Sequence, residues 1–503
     1  MNRARWIVAG IAVALIVLSV LRLEGQGDGL MAEEVRIGTT PATRVIGEGG
    51  GARPAVVIAH GFSGSRPLMR SFAQTLAGAG YAVLFFDFLG HGRNATPMSG
   101  NLLDEEGAGR VLLTQLQEVI AYARSMEGSD GRIAVLGHSM GSDIVTRAAV
   151  ADPTIVATVA ISMFSNAPTA EAPANLLLIA GGWERFLREA ALEMVAQVAD
   201  GPAEAGVTYG SHQDGSARRA VFAPGVEHVG VLYDPVSLEA ARDWLDASFG
   251  RPAEDGVSPQ GPWILLLLAA IVALGWPLAA LLPTSGERGA KPDLAGWRLW
   301  IAIFGPALLT PLIGRVLPTG FLPVLIADYL AVHFAIYGVL TFAALRLLKV
   351  KVALRLPRPG PFAASVLVVA LWGVAALALP LDAYVSSYVP HAGRVPLILA
   401  LLAGTLLYTI ADELLTRGTR SSGWAYALSK VAVVLSLILA VVLNPGGLFF
   451  LLIIMPVIVL FFAVYGLWGG WIARATRQPL VAGVAFALAF AWALGVTFPL
   501  IVS

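Results

Sequence analysis

The second half of the chain is a series of long apolar stretches, and this feature limits its fold more than any other. Eight stretches after position 262 are each close to the length of about 20 residues that a helix needs to cross a bilayer. They cover residues 263–282, 299–317, 321–345, 362–381, 395–415, 424–443, 448–468 and 480–502. Because a backbone in lipid must satisfy its hydrogen bonds internally, we predict an all-α polytopic transmembrane domain of about eight helices over residues 263–503.

Another apolar run, residues 6–21, lies near the N-terminus behind Arg3 and Arg5. This arrangement is typical of a secretory signal peptide or of a signal anchor that stays attached. The run is followed by residues 21–24 (LRLE), which are bulky and charged and contain no small-residue cleavage motif. We therefore favour a retained anchor and assign residues 1–32 to an N-terminal signal anchor and linker.

The positions of the basic residues predict the orientation in the membrane. With a cytoplasmic N-terminus, twelve Lys and Arg residues fall in the four loops that are then also cytoplasmic, and the short outer loops hold little beyond Arg394. Basic residues accumulate in cytoplasmic loops of membrane proteins. The predicted protein is an integral membrane protein whose N-terminus is cytoplasmic and whose residues 33–250 are extracytoplasmic.

Residues 33–250 have the composition of a soluble α/β domain, with short apolar runs between glycine-rich turns and amphipathic stretches. The predicted strands are 55–59, 82–86, 133–136, 158–161, 176–180 and 219–223, and the predicted helices are 68–79, 105–126, 183–199 and 235–248. Nearly continuous apolar strands are typical of a mostly parallel sheet with helices on both faces. Residues 251–262 are rich in proline and glycine and are predicted to be a linker.

A pentapeptide, Gly137-His138-Ser139-Met140-Gly141, follows the third of these strands and precedes a helix-like segment. Strand, sharp turn and helix is the context in which a serine hydroxyl projects as a nucleophile, because small flanking residues let the strand and the helix approach closely. We predict that Ser139 is a catalytic nucleophile.

A serine nucleophile needs a base and a group that orients the base. His228 follows the last predicted strand and is the predicted base, since the other histidines of residues 33–250 lie in motifs or before that strand. Glu184 comes three residues after a strand-terminal glycine and is the predicted acid, with Asp200 and Asp214 as open alternatives. The chain order is then Ser139, Glu184, His228. For the oxyanion, a further requirement of acyl transfer, backbone N–H donors are expected.

Four motifs in order carry a resemblance to a known family. They are HGF at 60–62 after one strand, DFLGHGR at 87–93 after the next, GHSMG at 137–141 and the late His228. Together they resemble the α/β-hydrolase superfamily and are most similar to the monoacylglycerol lipase and serine aminopeptidase-like group. The resemblance covers about residues 35–249 and implies an α/β-hydrolase fold. The N–H groups of Phe62 and Met140 are the predicted oxyanion donors.

Two features depart from this family. The predicted acid is a glutamate where the superfamily more often has aspartate. Between the predicted strands at 158–161 and 176–180 only residues 162–175 remain, too few for the helical cap that many relatives carry. We predict a fold without a large cap, with a site that is open or covered by the membrane domain or by the glycine-rich residues 201–216.

These features predict a membrane-integrated serine hydrolase that cleaves an ester or related acyl bond of a lipidic or membrane-proximal substrate. Peptidase and acyltransferase activities fit the same residues. The alternatives are a transporter or lipid-handling membrane protein with an accessory hydrolase-fold domain, or a non-catalytic interaction module. Equal numbers of acidic and basic residues, 34 each, give no field for nucleic acid, and the chain has no cysteine. We predict no cofactor, no metal and no nucleic-acid partner.

Overall fold

The computed structural model describes residues 3–49, 51–99, 105–252, 256–287, 291–350, 357–420 and 424–502. The strands are β1 Leu30–Ile37, β2 Thr40–Gly47, β3 Arg53–Ala59, β4 Ala82–Phe86, β5 Ser129–His138, β6 Ile155–Ile161, β7 Leu176–Gly181, β8 Thr208–Tyr209 and β9 Arg218–Ala223. They form one sheet in the order β1-β2-β4-β3-β5-β6-β7-β9-β8. The six inner strands, from β4 to β9, are parallel, and β1, β2 and β8 pair antiparallel at the edges. The predicted mostly parallel sheet is confirmed.

The sequence prediction misses the three antiparallel strands β1, β2 and β8, of which β1 and β8 are the edges of the sheet. Most side chains of β1 are exposed, and Glu33, Glu34 and Arg36 are among its residues. A two-residue turn at Gly38-Thr39 joins β1 to β2 in a hairpin. The edge strand β1 lacks the continuous apolar run that identifies the inner strands in the sequence. β2 is mostly buried, but Thr40, Thr43 and Arg44 interrupt its apolar residues.

Helices cover both faces of the sheet. The helices of the N-terminal half are α1 Arg3–Gly25, α2 Arg70–Gly78, α3 Arg110–Ser125, α4 Met140–Ala151, α5 Arg185–Ala196 and α6 Pro235–Phe249. Val56 and Ile58 of β3 lie in one core with α2 and α6, and Val57 and Ala59 lie in a second core with α3 and α4. Because successive strand residues point to opposite faces, both faces of β3 are buried.

The remaining helices are α7 Gly261–Ala279, α8 Gly296–Gly314, α9 Ala327–Leu347, α10 Pro359–Leu371, α11 Leu377–Tyr384, α12 Val395–Thr416, α13 Ala425–Leu443, α14 Pro445–Leu448, α15 Phe450–Thr476 and α16 Pro479–Thr497. A π-helical turn, Trp372–Ala376, joins α10 and α11 into one long span. Among the described residues, nine helices or joined helices, including α1, are long and apolar enough to cross a membrane. The C-terminal helical region predicted from hydropathy is therefore present.

Two predicted spans include five or more residues that are not helical in the structure. The predicted span 480–502 ends at Thr497, because Phe498 is extended and precedes Pro499, a position that disfavours helix. The predicted span 321–345 begins only at Ala327, since Ile326 has a left-handed backbone with φ 66°. Hydropathy detects the apolar character of these flanking residues but not their backbone conformation.

The extended residues after α16 join the membrane helices to the sheet. The carbonyl oxygen of Gly90, after β4, accepts hydrogen bonds from the Leu500 N–H (2.9 Å) and from Arg394 Nη2 (2.8 Å). Arg394 Nη1 also donates to the carbonyl oxygens of Gly495 and Phe498, both at 2.8 Å. Arg394 is only 1% exposed, so one buried guanidinium ties the start of α12 and the end of α16 to the sheet domain.

The opposite helix ends carry the basic loops. Lys291 donates to the carbonyl oxygen of Arg417, and the Arg358 N–H donates to that of Ser285 at 2.9 Å. Of the twelve basic loop residues, Arg288, Lys351 and Arg355 lie outside the described residues. Successive spans alternate in direction, so the sheet domain and the described basic loops lie at opposite ends of the bundle. The predicted orientation requires this arrangement, and the side of the membrane stays a prediction.

The predicted linker 251–262 packs against the sheet domain on either side of residues 253–255, which lie outside the described residues. The side chain of Arg251 donates to the carbonyl oxygens of Ala79 (2.7 Å) and Gly80 (3.1 Å). The Ser258 N–H donates to Thr75 Oγ1 at 2.9 Å, and α7 already begins at Gly261. The described parts of the linker are therefore fixed to the end of α2.

Candidate active site

Ser139 lies at the tip of a strained turn between β5 and α4. Its backbone has φ 53° and ψ −119°, which a non-glycine residue adopts only where the surrounding structure enforces it. A Cβ atom on Gly137 would lie 2.3 Å from the Gly141 carbonyl oxygen, and one on Gly141 would lie 2.4 Å from the His60 carbonyl oxygen. Gly137 therefore lets the end of β5 pass the start of α4, and Gly141 lets α4 pack against the end of β3.

The structure brings the predicted nucleophile, base and acid together. Ser139 Oγ lies 2.9 Å from His228 Nε2, and His228 Nδ1 lies 2.5 Å from Glu184 Oε1. An ionised carboxylate can only accept, so we assign the proton to Nδ1, which leaves Nε2 free to accept from the serine hydroxyl. The side chain of His228 is 33% exposed and that of Glu184 is 8% exposed. The arrangement can therefore move a proton from the hydroxyl of the half-buried Ser139 to an imidazole.

The second oxygen of Glu184 is held by two donors. Ser162 Oγ donates to Oε2 at 2.6 Å, and the Gly181 N–H donates to it at 2.7 Å. Burial raises the pKa of the Glu184 carboxyl, but the hydrogen bonds from His228, Ser162 and Gly181 outweigh it and leave the pKa below its usual value. Glu184 is thus kept ionised and oriented. The sequence analysis did not identify Ser162, which follows β6 with a positive φ of 51°.

The alternative acids lie elsewhere. Asp214 accepts from the N–H and Oγ of Ser216, at 2.9 and 2.5 Å, within its own turn. Asp200 is exposed after α5. Of the three candidate acids, Glu184 is the one that contacts His228.

His138 holds the loop that carries the base, a contact the sequence analysis also missed. Its Nε2 lies 2.9 Å from the carbonyl oxygen of His228, so Nε2 carries the proton and donates. The two imidazole rings are 4.8 Å apart. The only sequence signal is the position of His138 directly before the nucleophile.

The predicted oxyanion donors flank Ser139. Met140 is the first residue of α4, where backbone N–H groups have no partner within the helix. A Cβ atom on Gly61 would lie 3.0 Å from Ser139 Cβ, so the turn leading to Phe62 passes directly against the nucleophile. His60 fixes this turn, because its Nδ1 donates to the Gly61 carbonyl oxygen at 2.8 Å.

The side chains of both predicted donors face the membrane helices. The ring of Phe62 lies 4.4 Å from that of Phe450, at the start of α15, and Met140 packs against the same helical core. Residues 162–175 contain no helix, so no helical cap lies between β6 and β7. The loop 201–216 does not cover the site, because β8 pairs with Arg218 and Arg219 at the opposite end of β9 from His228.

Comparison with known proteins agrees with this fold. Residues 54–199 match the family model described as the alpha/beta hydrolase fold. Two uncharacterized proteins of Mycobacterium tuberculosis are each 31% identical over 105 residues, which is 21% of this chain and 34% of theirs. The match thus spans about a third of these relatives. The N-terminal half of this chain has the α/β-hydrolase fold and is followed by a region of membrane-length helices.

Solved structures with similarity to the chain include two hydrolases. A dienelactone hydrolase from Anabaena variabilis is 20% identical and covers 44% of this chain and 98% of its own, with a TM-score of 0.30. A membrane phospholipase A described as a bacterial virulence factor is 15% identical and covers 47% of this chain and 92% of its own, with a TM-score of 0.33.

Three buried histidines around the site predict that acid destabilises the domain. Burial lowers the pKa of His60 to about 4 and the pKa values of His91 and His138 to about 3. An unfolded histidine has a pKa of about 6.5, so below that pH the unfolded chain binds protons that the folded chain does not. Their stabilising contribution is full above about pH 6.5 and falls by up to about 1.4 kcal/mol per pH unit for each histidine.

We therefore expect the unfolding midpoint of the full chain in detergent to fall by on the order of 10 °C between pH 6.5 and 5.5. Tryptophan fluorescence during thermal unfolding measures this shift. His138→Gln should reduce the pH dependence by about a third, since one of the three titrating groups is removed. A midpoint that is constant or rises on acidification would contradict the expectation.

Proposed function

We propose that this chain is a membrane-integrated serine hydrolase that cleaves an ester or a related acyl bond. The observation that supports it most directly is the continuous contact from Ser139 through His228 to Glu184. These side chains come from three separate parts of the chain and meet at the carboxyl edge of the sheet. A structural turn serine does not need a base at hydrogen-bond distance and a buried, oriented carboxylate behind that base.

In the proposed reaction, Ser139 Oγ attacks the acyl carbonyl carbon as its proton passes to His228 Nε2. The carbonyl oxygen becomes an oxyanion that accepts from the N–H groups of Phe62 and Met140. When the intermediate collapses, the bond to the leaving oxygen breaks and His228 returns the proton to it, which releases an alcohol. Water then attacks the acyl-Ser139 ester with the same base, and a carboxylic acid leaves.

The acid has an orienting and electrostatic role in this scheme. Glu184 keeps the proton of His228 on Nδ1 and stabilises the imidazolium that forms in each step. Ser162 and the Gly181 N–H hold the carboxylate, and His138 holds the backbone of the base. These three groups position the machinery and do not touch the reacting atoms.

The substrate is proposed to be lipidic or close to the membrane. This is supported by the membrane-length helices in the same chain, the absence of a helical cap in residues 162–175, and the packing of Phe62 and Met140 on those helices. The N-terminus is proposed to be cytoplasmic and the hydrolase domain extracytoplasmic. A reporter fused after Phe249 tests this orientation, and a cytoplasmic signal there would overturn it.

Ester hydrolysis by the purified full chain tests the proposed activity. We expect Ser139→Ala to remove turnover of a dispersed short-chain p-nitrophenyl ester to background, because no other group supplies the nucleophile. The matched control is Ser211→Ala, which changes a serine on the loop before β9, and it should retain turnover. Wild-type turnover that survives Ser139→Ala would exclude Ser139 as the nucleophile.

A further inference from the structure

The carboxyl ends of three neighbouring strands rest on the membrane helices. After β3, Ser65 Oγ lies 2.9 Å from Ser386 Oγ beyond α11. After β4, Arg93 forms an ion pair with Asp382 of α11 at 2.6 Å. After β5, Met140 packs against the helical core. This edge of the sheet therefore faces the bundle and the membrane plane around it.

The next two strands in the sheet, β6 and β7, are followed by segments that carry large exposed aromatic side chains, with Phe186 in the first turn of α5. Phe164 is 66% exposed, Trp183 is 71% exposed and Phe186 is 62% exposed. The rings of Phe164 and Phe186 lie 5.2 Å apart. We call these three side chains the aromatic rim.

The residues of the aromatic rim are close in sequence to Glu184 and to Ser162, which bonds it. Phe164 lies two residues after Ser162, and Trp183 and Phe186 lie on either side of Glu184 in the sequence. Neighbouring strands are about 4.8 Å apart, so β7 lies about 10 Å to the side of β5. The rim thus continues the membrane-facing edge beyond the strands that rest on the helices.

Exposed aromatic rings are unfavourable in water. The Phe164–Phe186 pair, with the exposed Trp183 three residues before Phe186, is a patch of the kind that marks a surface in contact with something apolar. Tryptophan and phenylalanine side chains partition into the membrane interface, where Trp is enriched. The hydrolase domain is tethered on both sides, by α1 and by α7, and the rim lies on its membrane-facing edge.

We infer that the aromatic rim dips into the bilayer leaflet next to the hydrolase domain and that the substrate is an acyl lipid taken from that leaflet. The proposed lipid contact is argued from the exposure of the rim side chains and from their position on the membrane-facing edge. The substrate assignment rests on the proposed function. An acyl chain leaving the leaflet along the rim reaches Ser139 without crossing bulk water, which would cost about 0.8 kcal/mol for each exposed methylene.

Site-directed spin labelling tests the immersion directly, because the chain has no cysteine that would need removal. Single variants Phe164→Cys and Phe186→Cys of the full chain are labelled and reconstituted in phosphatidylcholine vesicles. Leu265→Cys on α7, 70% exposed in the protein, is the lipid-facing control. Glu127→Cys, whose side chain is 90% exposed before β5 at the opposite edge of the sheet, is the water-facing control.

We expect both rim labels to be relaxed more by oxygen than by a water-soluble nickel chelate, as at Leu265→Cys. Rim labels that behave like Glu127→Cys would overturn the inference. This readout does not depend on catalysis, so it holds or fails separately from the proposed function.

A kinetic comparison tests the substrate assignment. The double variant Phe164→Ser/Phe186→Ser should lower the rate on a fluorogenic long-chain ester in vesicles about tenfold relative to its rate on a dispersed short-chain ester. An unchanged ratio would overturn the assignment of a leaflet lipid. If the wild-type chain showed no turnover that Ser139→Ala removes, the proposed function itself would be refuted.

Discussion

Replacing His228 with glutamine is expected to lower kcat for ester hydrolysis by about 10⁵-fold, with a much smaller change in KM. Glutamine can still form a hydrogen bond but cannot take the proton of Ser139, so the nucleophile stays a neutral hydroxyl. Because the imidazole acts in the transition state and contacts no part of a bound ester before attack, the loss should appear in kcat. Steady-state kinetics of the full chain with a dispersed short-chain ester measure both constants.

The matched control for His228 is His212. It lies in the same domain and bonds Ser248 Oγ at 3.0 Å through Nδ1, far from the triad in the fold. His212→Gln should leave kcat within about threefold, because surface contacts of this kind are seldom worth more than 0.5 kcal/mol. If His228→Gln kept a tenth of the activity, or if His212→Gln removed it, the base would have to be reassigned.

Glu184→Gln is expected to lower kcat by about 10⁴-fold. The carboxylate accepts from His228 Nδ1, Ser162 and the Gly181 N–H, and an amide nitrogen in its place would face these donors or force the imidazole into the other tautomer. The Nε2 of His228 would then carry a proton and could not accept one from Ser139. Kinetics with the same ester over a range of pH measure the loss.

Asp200→Asn and Asp214→Asn are the controls that discriminate among the candidate acids. Asp214 is bonded to Ser216 in its own turn, and Asp200 is exposed, so neither change alters the contacts of His228. Both variants should keep kcat within about threefold. A large loss in either of them, with Glu184→Gln close to wild type, would move the role of the acid.

Much of the hydrolase fold can be predicted because its signals are local. The inner strands have continuous apolar runs, and the pentapeptide around Ser139 specifies a strand, a turn and a helix within a few residues. Glu184 and His228 could be proposed because each follows a strand that ends at the same edge of the sheet. The order of the motifs along the chain therefore carries information about their positions in space.

The contacts that hold the site together could not be predicted in this way. Ser162 reaches Glu184 only because β6 and β7 are neighbours, and His138 reaches the carbonyl oxygen of His228 only through the packing of two loops. Neither serine nor histidine is unusual at such positions. Pairings between distant parts of the chain leave no periodic pattern in either segment.

The same limit applies to the membrane half. Hydropathy predicts the apolar spans because a backbone in lipid can satisfy its hydrogen bonds in few ways, of which the helix is one. It does not predict that Arg394 is buried against carbonyl oxygens from α16 and from the loop after β4, or that Leu500 pairs with Gly90. The aromatic rim cannot be predicted from the sequence either, because single aromatic residues in loops and at helix starts are common and their shared edge is set by the order of strands.

The most direct test of the serine hydrolase mechanism is to map the residue that a fluorophosphonate modifies in the full chain. The probe reacts with a serine activated by a neighbouring base, and mass spectrometry of the digested protein locates the adduct. The mechanism predicts one adduct, on the peptide that contains Ser139, and its loss in His228→Gln. An adduct on a different residue, or an unmodified Ser139 in protein that hydrolyses esters, would contradict it.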